Sequence, residues 1–262
     1  MSQQPNYIWT DSFKAATIHL SFSLLVAGAL ALLLFKVWYP VPLASATGMF
    51  TIFAIVFAVN LISGPLLTFV VYKKNKKSLI FDLTVIVIIQ VAALAYGVYS
   101  LAQARPIWLT FYDNRFELVR GNDIESVYLK GVNKEYTQPS LTGVQWVAAK
   151  PVGSLTEIED LKLWNRIGAK IAYRPDFYYP IGNAYPQIKA KAHELSSLKS
   201  ANNDVEINRQ ISTYPEAVGW LPLWAQKQHM VVLINKEGIP IAVVDLRPWT
   251  KKQMNTVVTT ST

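Results

Sequence analysis

The sequence predicts an α-helical membrane hairpin bundle of three transmembrane helices followed by a small α+β extracytoplasmic domain. Three observations carry that class. Of the 262 residues 52% are hydrophobic, with a mean hydropathy of +0.23, and the excess lies before about residue 104. Two of the apolar runs are joined by a short turn bearing Lys73, Lys74, Lys76 and Lys77; lipid dissolves the runs but not the lysines, so the turn belongs at a cytoplasmic surface. From Arg105 onward apolar, aromatic and charged residues alternate as in a water-soluble fold. The expected division is a membrane domain over 1–104 and an α+β domain over 105–262.

Residues 1–14 read as a short polar lead-in. The first span, about 17–38, is long enough at ~1.5 Å per residue to cover a ~30 Å hydrocarbon core. His19 and Lys36 fall near its ends, where long side chains reach the headgroups, and Trp38 and Tyr39 mark the far interface. Lys14, the apolar stretch and the triplet Ala44, Ser45, Ala46 imitate a secretory signal. The run exceeds the usual ~7 to 15 residues, so a retained helix is expected. Pro40 to Thr47, uncharged and with two prolines, reads as a short external loop.

The second span, about 48–72, holds Asn60, Ser63, Gly64 and Pro65. Proline deletes a backbone hydrogen bond and crowds the carbonyl four residues earlier, so a kink is expected near Leu61 to Pro65. The carbonyl so freed needs a partner from Ser63 or a neighbouring helix. In the third span, about 78–101, Asp82, Ile86, Gln90, Ala93 and Gly97 fall on one stripe, and Ala93 with Gly97 forms a small-xxx-small pair that lets another helix approach. That stripe is expected to face protein. Three spans with the lysine turn inside place the amino terminus in the cytoplasm and everything past Arg105 outside it, which in a Gram-negative cell is the periplasm.

In the second domain IWLTFYD and RFELV around Asp113-Asn114 predict a hairpin. Ser154 to Glu157 matches a capping box before the helical pattern Leu155, Ile158, Leu161, Leu163, Trp164, Ile167. Pro175 and Pro180 bracket an aromatic loop. Pro186 opens a predicted helix through Ser200 with an apolar edge of Ile188, Ala192, Leu195 and Leu198. The following SANNDVEINRQ reads as exposed. MVVLIN and IPIAVVDL around Lys236-Glu237-Gly238 form the clearest hairpin, expected beside the first strands, and the tail TVVTTST reads as frayed.

The net charge of +8 divides equally between the two parts, and neither carries a basic run interleaved with aromatics, so no nucleic acid is expected. The absence of cysteine removes disulfides, thiolate metal sites and thiol nucleophiles together. His19, His193 and His229 are far apart without a second ligand at metal spacing, and no phosphate loop, G-x-S-x-G or H-E-x-x-H occurs. Helix capping explains Ser154, and the helix dipole explains Glu157, Glu159 and Asp160 in a first turn. No catalytic residue, cofactor or metal site follows. Two readings stay open for Asn60 and Asp82: an intramembrane polar site, or a cap beside the lysines (Asp82) with Asn60 and Gln90 bonding across the bundle. Two stay open for Tyr173, Phe177, Tyr178, Tyr179, Tyr185, Trp220, Trp224 and Trp249: filling the core or resting at the bilayer surface, or forming a protein-binding surface.

Leu61-Ile-Ser-Gly-Pro-Leu-Leu-Thr68, Lys76-Lys77-Ser78-Leu79, Phe81-Asp82-Leu83, Gln90, Ala93 to Gly97 and Arg105-Pro106 resemble the TfpX/TfpZ family of type IV pilin accessory proteins. The closing Asp245 to Trp249 (DLRPW) is similar to that family's Pro-Trp element. The likeness is dense from Asn60 to Pro106 and sparse beyond, and it departs from the family pattern at Asn60, where an acidic residue is expected. The resemblance implies a bacterial inner-membrane, chaperone-like, non-enzymatic factor that assists assembly or stability of a specific major type IV pilin. On that reading Asn60, Gly64, Pro65, Asp82, Gln90, Ala93 and Gly97 contact the pilin's transmembrane helix or hold the bundle together. The periplasmic domain, with Tyr178 and Tyr179, reads the pilin head. The rival readings are a membrane-tethered periplasmic ligand or envelope sensor, and a pilin-modifying membrane transferase, which would need acids or histidines clustered at the outer membrane surface.

Overall fold

The computed structural model describes residues 6–150, 171–250 and 253, so the capping box at Ser154 with its helix, and the tail, lie outside the described residues. The chain divides into two compact units, Met1–Val37 with Met49–Gln103, and Trp38–Gly48 with Ala104–Thr262.

In the first unit α1 (Asn6–Leu33) continues through a π-helical turn at Leu34–Trp38, α3 covers Met49–Val71 and α4 covers Leu79–Gln103. Among the described residues these three helices are long and apolar enough to cross a membrane, over Thr10–Trp38, Met49–Val71 and Leu79–Gln103. The chain is therefore a membrane protein. Helix α1 begins within the polar lead-in, earlier than the first span was expected to start. Helix α3 packs on both α1 and α4, with Phe35 stacked on Phe50 at 5.0 Å and Phe53 on Phe57 at 4.2 Å. Pro65 lies inside α3, which runs on to Val71.

The second unit is a mixed sheet built from β1 (Pro106–Tyr112), β2 (Arg115–Arg120), β3 (Gln145–Ala149), β4 (Tyr178–Pro180), β5 (His193–Glu194), β6 (Ala217–Trp224), β7 (Met230–Asn235) and β8 (Pro240–Val244), in the order β4-β3-β1-β2-β6-β7-β8 with β5 also on β6. Pairs β1/β3 and β2/β6 are parallel and the rest antiparallel. Both predicted hairpins are present. Asp113 takes φ 56° in the first turn and Gly238 φ 88° in the second. The terminal hairpin does not lie beside β2: the strand β6, which the sequence did not reveal, stands between them.

Alternation along the strands feeds two faces. One face sends Leu109, Phe111, Phe116, Leu118, Leu221, Leu223 and Val232 into a core closed by Ile188 of α6 (Tyr185–Lys191) and by Leu43 and Ala46 of α2 (Leu43–Thr47). The other carries Trp108, Val119, Val147 and Tyr178 at one end, with Tyr136 of the short helix α5 (Lys134–Thr137), and Trp220, Val231, Leu233 and Leu198 at the other. The helix predicted from Pro186 to Ser200 ends at Lys191, because His193 and Glu194 are captured as a strand by Trp220 and Gly219. The stretch read as exposed contains α7 (Asp204–Ile211), capped by Asn203, which accepts from Glu206 N, and anchored by buried Ile207.

Pro40 to Thr47 is not a free loop. It forms α2, ended by Gly48 at φ 76°, whose N–H donates to the last carbonyls. Ala46 O accepts from Lys227 N at 2.9 Å and Gln228 N at 3.2 Å, joining the helix to the β6–β7 corner. Ala44 and Ala46 are fully buried, so packing accounts for the small residues that imitate a cleavage site.

Candidate functional site

Within the helical unit a polar seam crosses the spans. Gln90 Nε2 donates to Asn60 O at 3.1 Å, the carbonyl one residue before the one Pro65 leaves free, while Asn60 Nδ2 donates to Val56 O of its own helix at 2.9 Å. Gly64 makes the approach of Gln90 possible, since a Cβ there would lie 1.9 Å from Gln90 Nε2. Gly97 does the same for Val56, whose Cγ1 would be 2.7 Å from an added Cβ. Both glycines are thus occupied by side chains of the bundle itself. On α4 the inward stripe is Ile86, Gln90, Leu94, Gly97 and Leu101; Ala93, expected on it, is exposed, because the helix phase carries the seam to Leu94.

His19 is engaged within the bundle: its Nδ1 lies 2.7 Å from Thr68 Oγ1, as a polar ring between helices requires a partner that lipid cannot supply. Ser12 Oγ donates to Tyr72 O at 2.8 Å. His19, Ser23, Asn60 and Gln90 share a cavity of about 130 Å³ with Phe22, Phe57 and Leu94. Asp82 sits in the first turn of α4, accepting from Ser78 Oγ at 3.0 Å and paired with Lys76 Nζ at 2.6 Å, and Lys74 Nζ is 3.6 Å from Asp11. Both partners of Asp82 are side chains at the start of α4 and in the lysine turn, and the carboxylate sits where the helix dipole favours a negative charge.

In the sheet domain Tyr178 is 6% exposed, and its ring meets Trp108 and Tyr136 edge-on at 5.9 Å each. Its hydroxyl donates to Ala172 O at 2.5 Å and accepts from Thr110 Oγ1 at 3.3 Å. Burial pushes its phenol well above the ordinary range, and Tyr173 and Tyr39 likewise. Tyr178 is therefore a core residue and not a surface contact, while Tyr179 remains half-buried against the opposite face. Glu117, 1% exposed on the same face as Thr110, is held by Arg115 at 2.9 Å, and the Arg115 guanidinium lies 4.3 Å from the Trp224 ring centre. Trp224 meets Trp249 edge-on at 6.0 Å. The closing Asp245 to Trp249 is stitched in place: Asn202 exchanges hydrogen bonds with Arg247 at 2.7 and 2.8 Å, Arg247 donates to His229 O at 2.7 Å, and Arg247 pairs with Asp245. Most of the aromatics singled out in the sequence thus pack against the core. Among the described residues no group of histidines and carboxylates stands close enough to hold a metal ion.

The membrane seam was legible only in part. Gln90 and Asn60 stood out as polar residues in apolar runs, whereas pairing His19 with Thr68 needs the helix packing. The role of α2 left no periodic signal.

Residues 8–48, covering α1 to α2, match the family described as fimbrial assembly protein FimB. Over 240 residues the chain is 31% identical to a fimbrial assembly protein of serogroup I from Dichelobacter nodosus, covering 88% of this chain and 93% of the relative. The serogroup E1 protein of the same organism is 30% identical over the same coverage, and that of serogroups C1 and C2 is 37% identical over 113 residues, covering 42% of this chain and 86% of the relative. No solved structure matches the chain. Likeness on this scale runs through both units, and the protein belongs to the fimbrial assembly protein family.

Proposed function

We propose that this protein is a non-enzymatic, chaperone-like accessory factor of the bacterial inner membrane that assists assembly or stability of one major type IV pilin, in the manner its TfpX/TfpZ resemblance implies. The observation that carries the reading is the near full-length likeness to fimbrial assembly proteins, spanning the membrane helices and the sheet domain alike. The amino terminus lies in the cytoplasm and the sheet domain in the periplasm. Supporting this orientation, α2 is part of the sheet domain, which requires both to share one side of the membrane, and the four lysines lie at the other end of α3. Membrane residues 1–104 and periplasmic residues 105–262 then have separate tasks, with α2 as the segment the first lends to the second.

The partner on this reading is the pilin, which presents one apolar helix in the membrane and a globular head outside it. Asn60, Gly64, Pro65, Gln90 and Gly97 keep the bundle in one shape, and Asp82 seats α4 at the lysine turn. Ala93, outward on α4, is the small residue of the stripe available to the pilin helix, and Tyr179 is the aromatic available to the head. No step needs a cofactor or a catalytic group. Deleting the protein is expected to lower surface pili and twitching while pilin synthesis continues. Unchanged piliation in the deletion strain contradicts the proposal, and an altered pilin mass there points instead to a transferase.

A further inference from the structure

The sheet domain passes into membrane helices at three places, Trp38, Gly48 and Ala104. Covalent connection keeps these residues at the ends of the spans, so groups bonded directly to them stay near the membrane surface. The turn at Ser140 to Gly143 is tied to Trp38 and to Arg105, the residue after Ala104. Trp38 Nε1 donates to Leu141 O at 3.1 Å, and the Arg105 guanidinium donates to Ser140 O at 3.0 Å while lying 5.9 Å from the Trp38 ring centre. Trp38 ends the first span and Arg105 follows the third by two residues.

The turn is locked. Ser140 Oγ donates to Thr142 O at 2.8 Å and accepts from Thr142 N at 3.1 Å, Ser140 N donates to Gln145 Oε1 at 3.1 Å, and Gly143 takes φ 73°. So held, it presents Leu141 with 74% of its surface exposed. On the connection between the first two crossings, Val41 is 78% exposed. A leucine held out by an ordered turn next to an interfacial tryptophan, and a valine three residues beyond it, match the boundary between headgroups and acyl chains better than water. At the second crossing the exposed Lys227 runs its Cβ and Cγ within 3.4 Å of the place a Cβ on Gly48 would take, bringing a cation to the same depth.

We propose that Leu141 and Val41 insert into the lipid interface, with Lys227 among the phosphates, so that the sheet domain carries its own membrane-contact surface in addition to the three spans. This rests on the spans alone and not on the pilus assignment.

The chain contains no cysteine, which gives a clean test. Full-length Leu141→Cys and Val41→Cys, each carrying a polarity-sensitive fluorophore, are reconstituted into phosphatidylethanolamine and phosphatidylglycerol vesicles with and without lipid bearing a nitroxide near the headgroup. Both positions are exposed, so substitution leaves the core intact. The control is Val205→Cys on α7, also 78% exposed. The expected result is blue-shifted emission that the nitroxide lipid quenches severalfold more at residues 41 and 141 than at 205. Water-like emission quenched no more than the control overturns the proposal. A blue shift without lipid quenching also overturns it, because protein would then cover the turn.

Discussion

The helical unit and the sheet domain use polar side chains in opposite ways. In the helices several internal polar groups reach to a neighbouring helix: His19 to Thr68, Ser12 to the Tyr72 carbonyl, Gln90 to the Asn60 carbonyl. Lipid offers no alternative partner, and apolar packing gains nothing from leaving lipid tails, so small residues and a few hydrogen bonds select the arrangement. In the sheet domain the selection is made by apolar volume taken out of water on both faces. Polar groups such as Glu117, Thr110 and the Tyr178 hydroxyl are admitted there with a partner beside them. The lesson is that identical substitutions have different consequences in the two regions.

The largest effects are expected at Gly238 and Phe116. The φ of 88° at Gly238 is strained for any side chain, and an added Cβ there would stand 2.2 Å from the backbone oxygen of Tyr185. Gly238→Ala should destabilise the sheet domain by about 4 kcal/mol, seen as early loss of tryptophan emission on denaturation. A matched pair of truncations tests the contrast directly. Phe116→Ala, fully buried between β1 and β6, should cost about 3–5 kcal/mol. Phe57→Ala on α3 should cost markedly less, because lipid can solvate the remainder. Equal losses would break the comparison.

Tyr178→Phe should cost about 1–2 kcal/mol, since Ala172 O and Thr110 Oγ1 lose a partner in the core. Its phenol, raised by burial, is neutral in the folded domain, so the unfolded state alone ionises as pH passes about 10. Stability is therefore full below pH 10 and falls above it. Tyr178→Phe should flatten that alkaline fall in part, the other buried tyrosines, Tyr173 and Tyr39 among them, supplying the rest. The smallest effect belongs to Gly64→Ala. Its Cβ displaces the Gln90 side chain and breaks the bond to Asn60 O, costing about 1 kcal/mol and lowering the yield of engineered α3–α4 crosslinks without unfolding the sheet domain.

What the sequence disclosed follows the strength of each local signal. Three spans were legible because length and hydropathy alone define them, and two hairpins because Asp113 and Gly238 mark turns that few residues tolerate. Strand β6 was hidden by Pro222, which ordinarily argues against a central strand. The structure accommodates it because β5 reaches only Gly219 and Trp220, β2 only Leu223 and Trp224, and Pro222 falls between them. Helix α2 was hidden for another reason. Five small and apolar residues carry no period, and their place in the core depends on strands more than sixty residues away in sequence. On α4 the stripe was read correctly at Ile86, Gln90 and Gly97 but slipped at Ala93, where spacings of three and four are both allowed and only the packing of Leu94 decides.

A partnership with a pilin outside the cytoplasm requires one topology, in which α2 and the sheet domain share the outer side while the lysine turn stays within. Alkaline phosphatase, active only after export, fused after Thr262 and separately inserted at Asn75, tests it most directly. Activity at Thr262 with silence at Asn75 is the predicted result. Silence at Thr262 with activity at Asn75 would contradict both the crossing number and the proposed meeting with a pilin outside the cytoplasm.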